Sequence, residues 1–300
     1  MPDKIIVNKD YNNSRFDRWF KNVVLNLPNS LIQKLLRTNK IKVNNKRIKS
    51  SYRLSTGDKV LVFNLKKYKP TDLQKKIHYL PTIKEQRNYD NLIIYDDKDY
   101  VVINKPRGIA VQAGTKNLKN VIDILKKTKH FENEKPYIVH RLDKETTGIF
   151  LVAKNREAAQ FFTSLFRIRK IHKTYLAIVK GEVSLNLKSM EDVLEYYEKN
   201  RKIKLKANTT VRVLKTNGKF SLLELKPITG RKHQIRKQLY IRGFPILGDS
   251  KYNLEKNKKS VGKSMLLHSH KIKFIKNNKK YSYSAILDDA FERKKKLYFR

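Results

Sequence analysis

Side chains able to do chemistry gather in four short stretches of this 300-residue chain. They are INKPRGIAVQ (103–112), VHRLDKETTGIFLVAKN (139–155), KTYLAIVKG (173–181) and ITGRKHQIRKQL (228–239). Taken alone, each polar residue has an ordinary reading. Asp143, beside Thr and Gly, would hold or cap the bend 143–148. Arg231, after the Gly230 turn, would meet a phosphate. Tyr175 would be a half-buried strand aromatic. The chain has no cysteine, which excludes disulfides, Cys-ligated zinc, iron–sulfur clusters and a thiol nucleophile. Gly262-Lys263-Ser264 has Asn257 where a phosphate-binding loop needs glycine, so that motif is rejected. His268 and His270 share a strand face without acidic or Cys co-ligands and read as a packed pair, with no metal. Asn208-Thr209-Thr210 matches a glycosylation sequon, which has no meaning in a cytoplasmic protein.

Charge sets the partner class. Lys and Arg number 69 against 27 acids, a net +42 spread along the whole chain, and such an excess calls for a polyanion. No apolar run approaches the ~20 residues of a membrane span. The start, MPDKIIVNKDYNN, lacks the apolar stretch of a secretory signal, and no sustained basic amphipathic anchor is present. The expectation is a soluble, cytoplasmic monomer with no membrane partner, whose polyanion is nucleic acid. Hydrophobic residues at 39% suffice for a sizeable core plus a smaller module.

The elements that must carry these residues can be read from periodicity. Phe16, Trp19, Phe20, Val23, Val24 and Leu27 form one helical stripe, with Ser14 and Asp17 as a capping box. A second helix, capped by Asn29 or Ser30, turns Leu31, Ile32, Leu35 and Leu36 inward and shows Lys34, Arg37 and Lys40 outward. Short strands follow at 41–44, 47–49 and 59–63. Residues 64–90 are basic, carry two prolines and lack an apolar stripe, so they read as a tether. Beyond it, 91–97 and 100–105 pair as strands, and Leu118, Val121, Ile122 and Leu125 have helical spacing. Strands at 137–143 and 149–154 precede a helix at 156–168 that buries Phe162, Leu165 and Phe166. A strand covers 174–181, and 209–228 is a hairpin closed by Asn217-Gly218. A helix at 233–241 ends at Gly243. Segment 182–206 has no clear pattern. Runs of strands with hairpin turns predict an α+β chain whose main sheet is mixed, mostly antiparallel and flanked by helices.

In order and spacing the four stretches resemble the motifs of the RluA-type pseudouridine synthases. The resemblance continues through GFPILGDSKY (243–252) and MLLHSHKI (265–272), covering nearly all of 91–275. Residues 15–63 resemble the S4 RNA-binding module, and LIQKLLRTNKIKVNNKRIKSSYRLSTGDKV is most similar to the RluC branch. The implied organisation is an S4-like module at 1–65, a basic linker at 66–88 and a catalytic domain at 89–300.

The resemblance implies isomerisation of uridine to pseudouridine in structured RNA, with large-subunit rRNA as the partner. The reaction breaks the N1–C1′ bond, turns the uracil and rejoins it through C5, so no redox step, metal or cofactor is required. Asp143 matches the catalytic aspartate, which either attacks C1′ or removes a 2′ proton. Arg236 matches its guanidinium partner, with Arg231 as the competitor; such a neighbour lowers a carboxyl pKa by ~1–3 units. Tyr175 matches the active-site tyrosine, stacking near the uracil or taking the C5 proton directly or through water. The target must be flipped out of the helix, and Arg141 matches the residue that fills the vacated space. His140 is expected to pack or to contact backbone. Asn104 and Lys105 match a segment given to structural support and RNA contact. Thr147 stands where the family usually has Ser, which keeps the hydroxyl. A rival reading is a non-catalytic RNA-binding or ribosome-assembly protein that retains the fold; it has no physical need for Asp143, Tyr175 and Arg236 together.

Overall fold

The computed structural model describes residues 2–68, 79–113, 118–131, 134–198, 201–253 and 264–299. The chain divides into two compact units, Met1–Ile77 and His78–Arg300.

In the first unit, β1 (Asp3–Ile6), a short α1 (Phe16–Trp19), α2 (Asn29–Arg37), β2 (Ile41–Val43) and β3 (Lys59–Val62) enclose one core. The strands form an antiparallel sheet in the order β1-β3-β2. Phe16, Trp19, Phe20, Ile32, Ile41, Val60 and Val62 are fully buried against it. The expected stripe is interrupted: after α1 the backbone widens into a π turn over Phe20–Val24, closed by Leu25 N–H on the Phe20 carbonyl at 2.9 Å. The wider turn rotates Val23 outward, where it is 43% exposed. Arg15 is the N-cap of α1, and Asp17 pairs with the Arg15 guanidinium at 2.6 Å, so the Ser14–Asp17 capping box does not form. Pro28 precedes α2, making Asn29 and Ser30 first-turn residues instead of caps. Residues 47–49 form no strand; the chain makes one bridge there, Val43 to Lys46. β1 carried no clear sequence signal, because its burial pattern is almost wholly exposed.

The second unit begins with α3 (Ile83–Asp90), within the stretch expected to be a tether. Thr82 and Glu85 form a reciprocal capping box, and Tyr89 is buried in the main core. One buried aromatic and a strong cap make a helix without the stripe that periodicity seeks. Residues 69–78 of the expected tether lie outside the described residues. Then come β4 (Ile93–Asp96), β5 (Tyr100–Lys105), α4 (Val121–Leu125), β6 (Tyr137–Ile138), β7 (Thr147–Ala153), α5 (Arg156–Arg167), β8 (His172–Lys180), β9 (Ser189–Glu198), β10 (Arg201–Thr216), β11 (Phe220–Pro227), α6 (Gln234–Ile241), β12 (Leu267–Lys276), β13 (Lys279–Ser284) and α7 (Asp289–Tyr298).

Among the described residues ten strands form one sheet, with the continuous order β4-β5-β7-β12-β8-β11-β10-β9; β13 pairs with β12, and β6 with β7. Every pairing is antiparallel except β7 with β12. The fold class read from sequence is therefore the observed one. Several details differ. Segment 182–206 supplies β9 and the first part of β10. β6 ends at Ile138, so Asp143 sits on a loop and not on a strand. Ile124 takes the inward place in α4, while Leu118 is 49% exposed.

The parallel junction positions the site. His268 lies opposite Thr147 and Ser269 opposite Gly148. Gly148 has φ +99°, and a Cβ there would lie 2.2 Å from the Ser269 carbonyl oxygen, so only glycine lets the two strands meet. The Thr147 hydroxyl is 2.8 Å from His268 Nδ1, a use that explains why a hydroxyl suffices at this position. Burial pushes the His268 pKa down to about 4. Below the ordinary value of ~6.5 the unfolded chain then binds more protons than the folded one. Stability is full above that value and is lost as pH falls, by roughly 2 kcal/mol for this residue at pH ~5. Urea unfolding at neutral and mildly acidic pH is expected to show this loss, and His268→Gln to remove most of it. An unchanged pH dependence in the variant would show that His268 is not the group responsible.

Candidate active site

Asp143 lies on the loop between β6 and β7. Its backbone carbonyl accepts from Thr146 N–H at 3.1 Å, and Gly108 N–H reaches the Lys144 carbonyl at 3.0 Å. Lys105 secures the same loop from beneath. It is 0% exposed, and its Nζ donates to the carbonyls of Pro106, Ile109 and Lys144 at 2.9, 3.0 and 3.1 Å. Burial lowers its pKa to about 7. The expected RNA contact by Lys105 is thus overturned: its three donors are spent on backbone and no surface is left for a phosphate. Asn104 is also structural, donating from Nδ2 to the Ile286 carbonyl at 3.0 Å.

Arg236 sits on the buried face of α6 and joins two carboxylates. Its Nη1 is 2.9 Å from Asp143 Oδ2, while Nε and Nη2 take both oxygens of Asp249 at 2.7 and 2.8 Å. Asp249 is fully buried and also accepts the backbone N–H groups of Lys251 and Tyr252. The Tyr252 ring lies 5.2 Å from the guanidinium. Burial by itself would lower the Arg236 pKa; Asp249 and then Asp143 outweigh it and raise it. The bidentate pair fixes the plane of the guanidinium, leaving one edge to hold Asp143. Arg231 does not compete for that place. Its Nε donates to the Lys206 carbonyl at 3.2 Å.

On the other oxygen, His233 Nε2 stands 3.6 Å from Asp143 Oδ1. His233 caps α6 with φ +53°, a backbone conformation that costs a non-glycine residue roughly 1–2 kcal/mol. Its Nδ1 is 3.0 Å from the Tyr252 hydroxyl. Burial, followed by the nearby cations, lowers its pKa despite Asp143.

Asp143 and Arg236 share the wall of a cavity of about 630 Å³ with Arg141, Tyr175 and Arg231, a volume within the range of small-molecule sites. Tyr175 comes from β8, opposite Ser269. Burial pushes its phenol up to about 12, with a hydrogen bond to Ser269 opposing and Asp143 adding to the rise. At neutral pH the phenol is therefore held in its neutral, hydrogen-bonding form. His140 accepts the Leu151 N–H at 2.9 Å and stacks on Phe166, contacting backbone as expected. Lys173 also lines the cavity, with its pKa lowered by burial. Lys34 and Arg37 are exposed on α2 in the first unit, whereas Lys40, expected on the same helix face, is exposed in the turn after the helix ends at Arg37. Among the described residues no group of three or more His, Asp or Glu could hold a metal ion.

The family model for RNA pseudouridylate synthase matches residues 99–240. Over 304 aligned positions the chain is 34% identical to ribosomal large subunit pseudouridine synthase C of Buchnera aphidicola subsp. Schizaphis graminum (strain Sg), covering 96% of this chain and 95% of that protein. The chain belongs to the pseudouridine synthase family. The enzyme of the same name from Rickettsia bellii (strain RML369-C) is also 34% identical, over 93% of this chain and 96% of the other. Among solved structures, human RNA pseudouridylate synthase domain containing 4 is similar, with a TM-score of 0.59 and 26% identity over 70% of this chain and 94% of that one.

Residue type alone does not single out Asp249, which is buried behind Arg236, or His233 and Lys173, which line this synthase's cavity. Each lies inside a matched stretch, GFPILGDSKY, ITGRKHQIRKQL or KTYLAIVKG. An acid directly after the glycine of a turn was the available signal for Asp249. Its partner is 13 residues away on a helix, which no local pattern reveals.

Proposed function

We propose that this pseudouridine synthase converts uridines to pseudouridine in large-subunit ribosomal RNA, as a cytoplasmic monomer with Asp143 as the catalytic residue. The observation that carries the reading is the Asp143–Arg236 contact at 2.9 Å on the cavity wall, in a chain aligned end to end with synthases of that name. A flipped uridine enters with its ribose toward Asp143. Arg236 fixes one oxygen of the carboxylate, so the other acts on the ribose, attacking C1′ or removing the 2′ proton. The N1–C1′ bond breaks, the uracil turns against the neutral Tyr175 ring, and C5 bonds to C1′ as the Asp143 oxygen leaves C1′ or, on the second route, as the 2′ proton is returned. The C5 proton leaves and N1 is protonated, so the product is an isomer of the substrate. Arg141 is exposed at the cavity mouth and suits filling the gap the base leaves; Arg231 suits a phosphate. Incubating the protein with unmodified 23S rRNA and mapping pseudouridine tests the reading. New pseudouridines at discrete positions are expected. Tight RNA binding without conversion would favour the non-catalytic rival.

The first unit is proposed to be an S4-like RNA-binding module. Its removal should leave an active second unit with weaker RNA affinity. Because α3 packs Tyr89 into the second unit's core, the truncated protein must start before residue 79, not at 89. Phosphate contacts release counterions, so log affinity falls with log salt by roughly 0.7–0.9 per contact. Losing Lys34, Arg37 and Lys40 should flatten that slope by roughly two to three. Equal slopes and affinities for the full and truncated proteins would mean that this module does not touch RNA.

A further inference from the structure

A second cavity of about 430 Å³ adjoins the catalytic one, and Arg169, Thr229 and Arg231 belong to the walls of both. The β9–β10 hairpin supplies its remaining wall, including Val193, Lys206 and Asn208. Two acids also line it, but both are already engaged. Asp192 accepts from Arg242 at 2.8 Å and from Gln238 at 2.8 Å, and Glu191 accepts from the Asn208 amide at 2.9 Å. Asp192 is paired with Arg242 while Glu191 keeps its charge, and Arg169, Arg231 and Lys206 outnumber it, so the cavity is net basic. Lys206 is exposed and lies directly across from Val193 in the hairpin register; Val193 is 57% exposed.

Arg169 adds an independent sign. It follows the C-terminus of α5 with φ +61°, closing the helix through Lys170 N–H on the Leu165 carbonyl at 2.9 Å. Glycine is the ordinary residue there, and a side chain costs roughly 1–2 kcal/mol. Strain of this kind gathers where a side chain is used for binding. Here it places a guanidinium at the junction of the two cavities.

We propose that the second cavity receives the nucleotide adjoining the flipped uridine, with the phosphate between the two nucleotides held by Arg169 and Arg231 at the shared wall. This rests on the pseudouridine synthase reading. An enzyme that extrudes one base must hold the backbone beside it, and phosphate contacts set register. Val193 offers the neighbouring base an apolar surface. Beyond it, Lys206, Lys204 and Lys202 alternate along the outward face of β10, all exposed. Glu195 pairs with Lys202 at 2.8 Å and lies 4.0 Å from Lys204, and three lysines against one acid leave the strand net basic along a path away from the site.

The test uses the full chain and a 23S rRNA fragment containing a uridine that the enzyme converts. Val193→Glu combined with Lys206→Glu places two carboxylates in the second cavity at exposed positions. On the intact fragment KM should rise by about tenfold, the scale of one lost base contact, with the single-turnover rate at saturation unchanged. The same RNA is then assembled with a one-nucleotide gap on either side of the target. With the gap on the occupied side, wild type should lose that affinity and the double variant should lose nothing further. With the gap on the other side, the variant's penalty should persist. A penalty equal in all three RNAs, or none on the intact one, overturns the proposal. Failure of the underlying reading is separate, since wild type itself would then form no pseudouridine in any of them.

Discussion

Asp143→Asn is expected to abolish pseudouridine formation while leaving RNA affinity and folding close to wild type. The amide keeps the size of the carboxyl, and its oxygen can still accept from Arg236 Nη1, which lies 2.9 Å from Oδ2 in the native protein. What disappears is the negative charge, and both routes on the ribose require it. The side chain is 28% exposed and its loop is held by Lys105 and by backbone hydrogen bonds, so little stability rests on that charge. RNA binding, carried by cations elsewhere, should hold or tighten slightly. Single-turnover assays on an rRNA fragment, with a filter-binding affinity for each protein, decide the matter. Measurable conversion by verified Asp143→Asn protein would remove Asp143 from its assigned role.

The second large effect concerns Arg236, and the structure makes it a two-part expectation. Arg236→Ala leaves Asp249 buried without its counter-charge, and breaking a buried pair from one side costs about 3–5 kcal/mol. Loss of turnover in that variant could therefore follow from unfolding alone. Removing both charges, Arg236→Met with Asp249→Asn, takes the uncompensated charge away, keeps an acceptor for the Lys251 and Tyr252 N–H groups and should recover much of the stability. Turnover should stay lost, because Asp143 then has neither its partner nor its fixed orientation. Urea unfolding and single-turnover rates on both variants separate the two effects. If activity returned together with stability, Arg236 would be a structural residue and the guanidinium would have no part in the chemistry.

The two expectations differ in how far they could be read from the sequence. Pairing Asp143 with Arg236 came from motif order, and the structure brings the two into contact across 93 positions. Lys105 shows the opposite: a lysine in a basic, RNA-directed chain reads as a phosphate contact, yet it is 0% exposed and tied to three carbonyls. A motif marks a residue as needed without saying which way its side chain points. α3 departs from the expected tether for a different reason. Its stability comes from the Thr82–Glu85 cap and from Tyr89 entering a core assembled by distant strands, so there was no stripe to find.

By itself the sequence determined what depends on neighbours within a few positions. The α5 stripe, the Asn217-Gly218 turn between β10 and β11, the mixed sheet with helices and the need for a polyanion all follow from local periodicity, turn chemistry and charge. Tertiary structure decided what depends on strand order. Only the β7–β12 parallel junction, opened by Gly148, sets the start of β7, and with it the Asp143 loop, beside β12, which in turn places Ser269 across from Tyr175 on β8. Only the turn after α6 carries Asp249 back under Arg236. Local patterns fix which face of an element is apolar; they do not fix which elements lie side by side, because that choice is made by the summed packing of the whole core.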